Sequence, residues 1–206
     1  TLNVKGKGCD MLVMTATPIP RTLMLTAYGD IDVSQLTEKP TGRKAIITRV
    51  ISDDRIHEII DRMKNIFDSA EQIFWICPII EESETQDLAA AQSRYQHLKN
   101  IFGKSVGLVH GRMTINEKDL VMSAFNKGTI KILVATTIIE VGIDVANATI
   151  IIVEQAERFG LSQLHQLRGR VGRSDKQSSC VLVYHKPITE MGRKRLEVMR
   201  NSDDGF

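Results

Sequence analysis

Residues 106–135 read VGLVHGRMTINEKDLVMSAFNKGTIKILVA, and this stretch decides the fold. Its two ends, 106–109 (VGLV) and 130–135 (IKILVA), are short apolar runs rich in β-branched residues. Strands covered on both faces look like this. Between them Thr114 and Glu117 stand at capping-box spacing, so a helix opens there, and Gly128 stops it. The same rhythm extends in both directions. Further strands are expected at 11–15 (MLVMT), 45–50 (AIITRV), 73–77 (IFWIC), 149–153 (TIIIV) and 180–184 (CVLVY). Ile56, Ile59, Ile60, Met63 and Phe67 form one apolar helical stripe; Leu88, Ala91, Tyr95, Leu98 and Phe102 form another, closed by Gly103. Strand and helix in alternation predict an α/β fold: a parallel sheet with helices on both faces. Ligands in such folds gather at the carboxyl ends of the strands.

The composition agrees with a packed domain. Of 206 residues, 42% are hydrophobic and 25% charged, so a core can form and wholesale disorder is excluded. The net charge is only +2, which means that any nucleic-acid surface must be local. Cys9, Cys77 and Cys180 are far apart and flanked by apolar residues. They read as reduced core thiols of a cytoplasmic protein, not as a disulfide framework or a metal site. The longest apolar runs are too short to span a bilayer.

The first 36 residues offer one strand and one helix, too little to bury a core. They are expected to be the remnant of a preceding domain, joined through a turn-rich linker at 37–44 (TEKPTGRK) to the main domain at 45–186. A final helix over about 189–201 opens a further element at 187–206, and the ending DDGF suggests a piece of a larger protein.

Four stretches carry chemistry. In QLRGRVGR (166–173), Gln166 precedes two Gly-Arg units, Arg170 and Arg173. Guanidinium forks match phosphate oxygens in pairs, so the pair points at a phosphate. In 132–145 (ILVATTIIEVGIDV), a buried strand runs into Thr136 and Thr137, then Gly142 and Asp144. Hydroxyls and free N–H groups at a helix start suit a nucleic-acid phosphate, and Asp144 suits a ribose hydroxyl or an arginine. Helix capping by Thr136 and Asp144 explains them equally well. TATPIPR (15–21) places Thr15 and Thr17 on a stiff elbow, and VHGRM (109–113) leaves His110, Gly111 and Arg112 at a strand end. No G-x-x-x-x-G-K-[ST] loop is present: Gly103-Lys104-Ser105 follows a helix and has Leu98 where the first glycine belongs. No residues suggest a metal site.

TATPIPR, HGR (110–112), ATTIIEVGID (135–144) and QLRGRVGR, in this order, resemble motifs III, IVa, V and VI of superfamily 2 helicases and translocases. These motors have two RecA-like domains, and the chain resembles the second with a scrap of the first. PRTLMLTAYGDIDVSQL (20–36), WICPIIEESE (75–84), ERFGLSQLHQLRGRVGR (157–173) and RLEVMRNSDDGF (195–206) narrow the likeness to the bacterial RecG family. The transcription-repair coupling factor shares TATPIPR, but AYGDIDVSQLTEKPTGR (27–43) and IIEESE (79–84) favour RecG.

The resemblance implies an ATP-dependent double-stranded DNA helicase that remodels stalled forks and branch-migrates Holliday junctions in repair and recombination. It implies ATP with Mg2+ held mainly by the first motor domain, outside this chain. Arg170 and Arg173 would reach the γ-phosphate from across the cleft, Gln166 would sense nucleotide, and Gly142 and Asp144 would lie at the ribose edge. Thr136, Thr137, His110, Gly111 and Arg112 would grip DNA backbone, while Thr15 and Thr17 would couple hydrolysis to closure. Implied partners are branched DNA and the other domains of the same polypeptide, with no membrane. Alone, the chain is expected to be inactive. A non-catalytic DNA- or protein-binding module is the competing reading, and the intact arginine pair speaks against it.

Overall fold

The computed structural model describes residues 34, 44–67, 71–78, 84–136 and 147–202, with the side chains of 84–87 left aside. The chain divides into two units, Thr1–Thr37 with Phe206, and Glu38–Gly205. Apart from Ser34, every described residue belongs to the second unit. The strand expected at 11–15, the helix near 20–29 and residues 37–43 of the linker lie outside the described residues.

In chain order the elements are β1 (Ile47–Ser52), α1 (Ile56–Ile66), β2 (Gln72–Cys77), α2 (Glu84–Phe102), β3 (Val106–Val109) and α3 (Ile115–Asn126). There follow β4 (Ile132–Thr136), β5 (Ala148–Val153), α4 (Leu161–Arg168), β6 (Ser179–Tyr184) and α5 (Glu190–Asn201). The six strands form one sheet in the order β1-β6-β5-β2-β4-β3, and every pairing is parallel.

Handedness explains the layers. The connections β1→β2 and β2→β3 cross the sheet in one direction, whereas β3→β4 and β5→β6 cross back. Right-handed crossovers therefore put α1 and α2 on one face and α3 and α4 on the other. The two buried clusters follow this division. Ile73, Trp75 and Cys77 of β2 pack with Ile59, Ile60 and Met63 of α1 and with Ala91, Leu98 and Phe102 of α2. Their neighbours Phe74 and Ile76 face the opposite cluster, with Phe125 of α3, Leu164 and Leu167 of α4, and Leu196 and Met199 of α5. The period of two along β2 thus serves two cores at once. Fully burying each large side chain contributes about 1.5–3 kcal/mol. Truncating Trp75, which is wholly buried, would cost about 3–5 kcal/mol.

Local chemistry sets the boundaries. The Thr114 hydroxyl accepts from the Glu117 N–H at 3.3 Å and the Glu117 carboxylate accepts from the Thr114 N–H at 2.8 Å, closing the expected capping box. Gly128 takes a left-handed conformation (φ 75°) two residues beyond α3. Gly103 does the same (φ 65°) after α2 and leads through one 3-10 turn into β3. Gly103-Lys104-Ser105 is therefore a helix exit and not a phosphate loop. Buried Gln72 donates its amide to the carbonyls of Phe125 and Ile130, fastening the α3–β4 turn to the sheet.

Candidate functional site

Polar residues gather at both ends of the sheet. At the carboxyl ends, His110, Gly111 and Arg112 follow β3 in a turn, with the His110 carbonyl accepting from the Met113 N–H at 3.2 Å. The Gly111 carbonyl accepts from Lys118 Nζ at 3.4 Å. Arg112 is exposed, while His110 is half-buried and its Nδ1 is enclosed without a hydrogen-bond partner among the described residues. Burial lowers the His110 pKa from its ordinary 6.5, so the ring stays neutral at physiological pH. These residues border an open groove of about 470 Å³ whose wall includes Gly107, Leu108, Glu117 and Ile130.

Thr136 does not join them. The β2–β4 ladder continues through the Cys77–Thr136 pair, so Thr136 is the last described residue of a buried strand. It is 4% exposed, and its hydroxyl has no partner among the described residues. The Thr136 side chain is thus enclosed among the described residues, and the helix start expected after it lies outside them. Thr137, Gly142 and Asp144, and likewise Thr15 and Thr17, lie outside the described residues.

The arginine pair occupies the other end of the sheet. Exposed Gln166 lies on α4, and Arg170 and Arg173 lie in the loop that leads from α4 to the amino end of β6. Val171 between them is buried in the core. Gly172 takes φ 77°, and a side chain there would stand 3.0 Å from Ile46, just before β1. Glycine is required at this position by both conformation and space. Arg173 Nε is 3.4 Å from the Gly169 carbonyl, which turns its stem back along the end of α4. Strands of four to six residues separate this loop from His110–Arg112 by roughly 15–20 Å. One small ligand cannot touch both.

The loop is held by a residue that sequence reasoning missed. Arg168 is 5% exposed and donates Nη1 to the carbonyls of Ser202 at 2.6 Å and Met199 at 3.1 Å, with Nη2 3.0 Å from His165 Nδ1. It ties the root of the arginine loop to the end of α5. A signal existed: Leu164, Leu167 and Arg168 share one helical stripe, the buried one. Arg195 of α5 donates to the carbonyls of Glu157 and Phe159, fastening the turn that precedes α4 to the same helix. A third network joins α2 to the end of β5. Glu154 receives Arg94 in two bonds, at 2.6 and 3.2 Å, and the Trp75 indole N–H, with the Arg94 guanidinium 5.2 Å from the Trp75 ring centroid. Two charged groups half-buried beside a core tryptophan fix that corner geometrically.

Both described cysteines are buried and free. Burial pushes the Cys180 thiol up to about 12 and raises that of Cys77 as well, so neither ionises at neutral pH. Among the described residues, no group of three or more His, Cys, Asp or Glu could hold a metal ion. None of the described helices is long and apolar enough to cross a membrane.

Comparison with known proteins gives the family. The family model of the helicase conserved C-terminal domain matches residues 55–175. The chain is 52% identical over 203 residues to the ATP-dependent DNA helicase RecG of Acidithiobacillus ferridurans, covering 98% of this chain and 30% of that protein. It is 50% identical over 197 residues to the RecG of Escherichia coli strain K12, covering 95% of this chain and 28% of that protein. A solved structure of RecG bound to a three-way DNA junction superposes with a TM-score of 0.81 at 43% identity, over 98% of this chain and 26% of the other. The chain thus spans about 30% of the length of the curated relatives it matches.

Proposed function

Since the chain belongs to the helicase conserved C-terminal domain family, we propose that it is the second motor lobe of a RecG-type, ATP-driven double-stranded DNA translocase. The observation that carries this reading is the separation of two arginine-bearing loops on one sheet. A loop beyond α4 offers Arg170 and Arg173, and the carboxyl end of β3 offers His110–Arg112. A translocase must hold nucleotide and track in different places and move one relative to the other.

In this reading Arg170 and Arg173 complete a phosphate site borne by the preceding lobe. Such arginines are worth roughly 10³–10⁵ in rate in comparable hydrolases, because they meet charge that develops on the γ-phosphoryl group. ATP with Mg2+ supplies the free energy of phosphoryl transfer. The residues present fit contact from outside the cradle only, since Gly103-Lys104-Ser105 is a helix exit. Gln166, one turn before Arg170, senses the nucleotide, and Gly142 and Asp144 approach the ribose. Arg112, with His110 and Gly111, holds DNA backbone, joined by Thr137; Thr15 and Thr17 couple hydrolysis to closure of the lobes. Arg168 is the positioning residue that keeps the loop in register with α5. The whole protein then acts on branched DNA, forks and Holliday junctions, in the bacterial cytoplasm.

The test is ATP hydrolysis by the full-length protein with and without forked DNA, alongside the 206-residue chain alone. The reading expects a silent fragment, DNA-stimulated turnover in the longer protein, and loss of that turnover in Arg173→Ala. Turnover that survives the substitution would make this a binding module and not half of a catalytic site.

A further inference from the structure

Among the described residues β1 pairs with β6 alone, so its other edge is unpaired there, at the end of the sheet opposite β3. Around that edge the described residues form a groove of about 370 Å³ lined by Arg49, Arg55, Arg62 and Arg200, with Glu58 and Ile59. The arginines converge from three elements. Arg49 lies on β1 itself, Arg55 immediately precedes α1 and Arg62 lies on it seven residues later, and Arg200 comes from α5, which packs in the opposite layer. A second groove, of about 310 Å³, shares Val50 and Arg200 and adds Arg193 and Glu197.

The charge is not balanced internally. Glu58 is occupied by Arg55 through two bonds, at 2.7 and 2.8 Å. Arg49, Arg62, Arg193 and Arg200 are exposed and have no ion pair or side-chain hydrogen bond among the described residues. A single charged residue suffices to keep an edge strand from pairing with another chain. Arg49, Arg193 and Arg200 without an ion pair, together with Arg62, which shares the field of Glu58 with Arg55, exceed that need, and in a protein of net charge +2 they mark a local anion surface.

We propose that this groove holds the phosphodiester backbone of a second stretch of nucleic acid, apart from the one bound beyond β3. Guanidinium forks suit phosphate oxygens. An acidic strand added to β1 suits the site less, because the groove is lined by Arg62 of α1 and Arg200 of α5 as well as by β1 itself, so its charge is not confined to the strand edge. Six strands at about 4.8 Å spacing put the two surfaces about 24 Å apart, the length of about seven base-pair steps. A branched substrate with two arms reaches both. The proposal rests on the DNA-translocase reading and extends it to a surface with no helicase motif.

The test uses the full-length protein with Arg62→Gln and Arg200→Gln together, compared with Arg62→Lys and Arg200→Lys. Binding of labelled three-way-junction DNA is followed by fluorescence anisotropy over a salt series, with inorganic phosphate and polyglutamate as separate competitors. The glutamine pair is expected to weaken binding roughly tenfold at low salt and to flatten the slope of log K against log salt by about two. The lysine pair keeps the slope. Both positions are exposed, so an unchanged thermal midpoint certifies folding. Unaltered affinity and slope in a folded glutamine pair would overturn the proposal. So would a loss confined to polyglutamate, which would make the occupant an acidic chain, or to inorganic phosphate, which would make it a free anion. If the unsubstituted protein fails to bind the junction, the translocase reading falls with it.

Discussion

The loop after α4 and the turn after β3 both carry a Gly-Arg pair, yet they are built in opposite ways. Arg170 and Arg173 flank a buried valine, beside Gly172, whose positive φ disfavours a side chain, and the buried Arg168 fastens the loop's root to α5. His110–Arg112 sit on a turn held by the capping box of α3, by the Met113 N–H on the His110 carbonyl and by a long contact from Lys118. The first arrangement is pre-organised, as charge stabilisation in a reaction requires. The second leaves an exposed cation on an open groove, which suits a sequence-independent grip on backbone phosphate that is made and released in each cycle.

The predictions probe that contrast in decreasing order of effect. Arg173→Ala in the full-length protein should lower DNA-stimulated ATP turnover by about 10³-fold or more while changing junction affinity less than about twofold. Steady-state hydrolysis and anisotropy on the same preparation check both halves. A parallel loss of DNA affinity would break the separation of the two loops.

Arg168→Met should destabilise the domain by about 2–3 kcal/mol, because the Met199 and Ser202 carbonyls lose their donor. Arg112→Met, on the exposed turn, should stay within about 0.5 kcal/mol. Urea unfolding of both variants measures the difference in how the loops are held.

Arg112→Ala should weaken DNA binding a few-fold and reduce the salt slope by about one, with turnover at saturating DNA unchanged. Binding titrations at several salt concentrations decide it.

The smallest effect concerns pH. The His110 pKa is lowered in the fold, so the unfolded chain takes up the proton first. Stability is fully present above the ordinary value of 6.5 and declines as pH falls below it. Melting at about pH 8 and about pH 5.5 should show a smaller acid loss in His110→Gln than in the unsubstituted protein.

Much of the scaffold was legible locally. β3 occupies 106–109 as expected, since Gly-Lys-Ser and His-Gly bound a four-residue apolar run, and the capping box at Thr114 and Glu117 formed as spaced. The other described strands shifted by no more than two residues at either end. What failed was non-local. The burial of Thr136 was not legible, because the partner that extends its strand, Cys77, lies far back in the chain. Arg168 was passed over because its acceptors belong to α5, and Glu154 because Arg94 and Trp75 reach it only once α2 packs on the sheet. The strand order that sends the two arginine loops to opposite ends is likewise written in the crossovers and not in any one motif.

The most direct test of the account is equilibrium ATP binding, measured by calorimetric titration into the 206-residue chain alone and into the full-length protein. The account predicts no detectable heat of binding from the chain alone and saturable binding by the longer protein. Tight, stoichiometric ATP binding by the chain alone would contradict it, because the phosphate would then be held within this lobe and the arginines would not be reaching across to another.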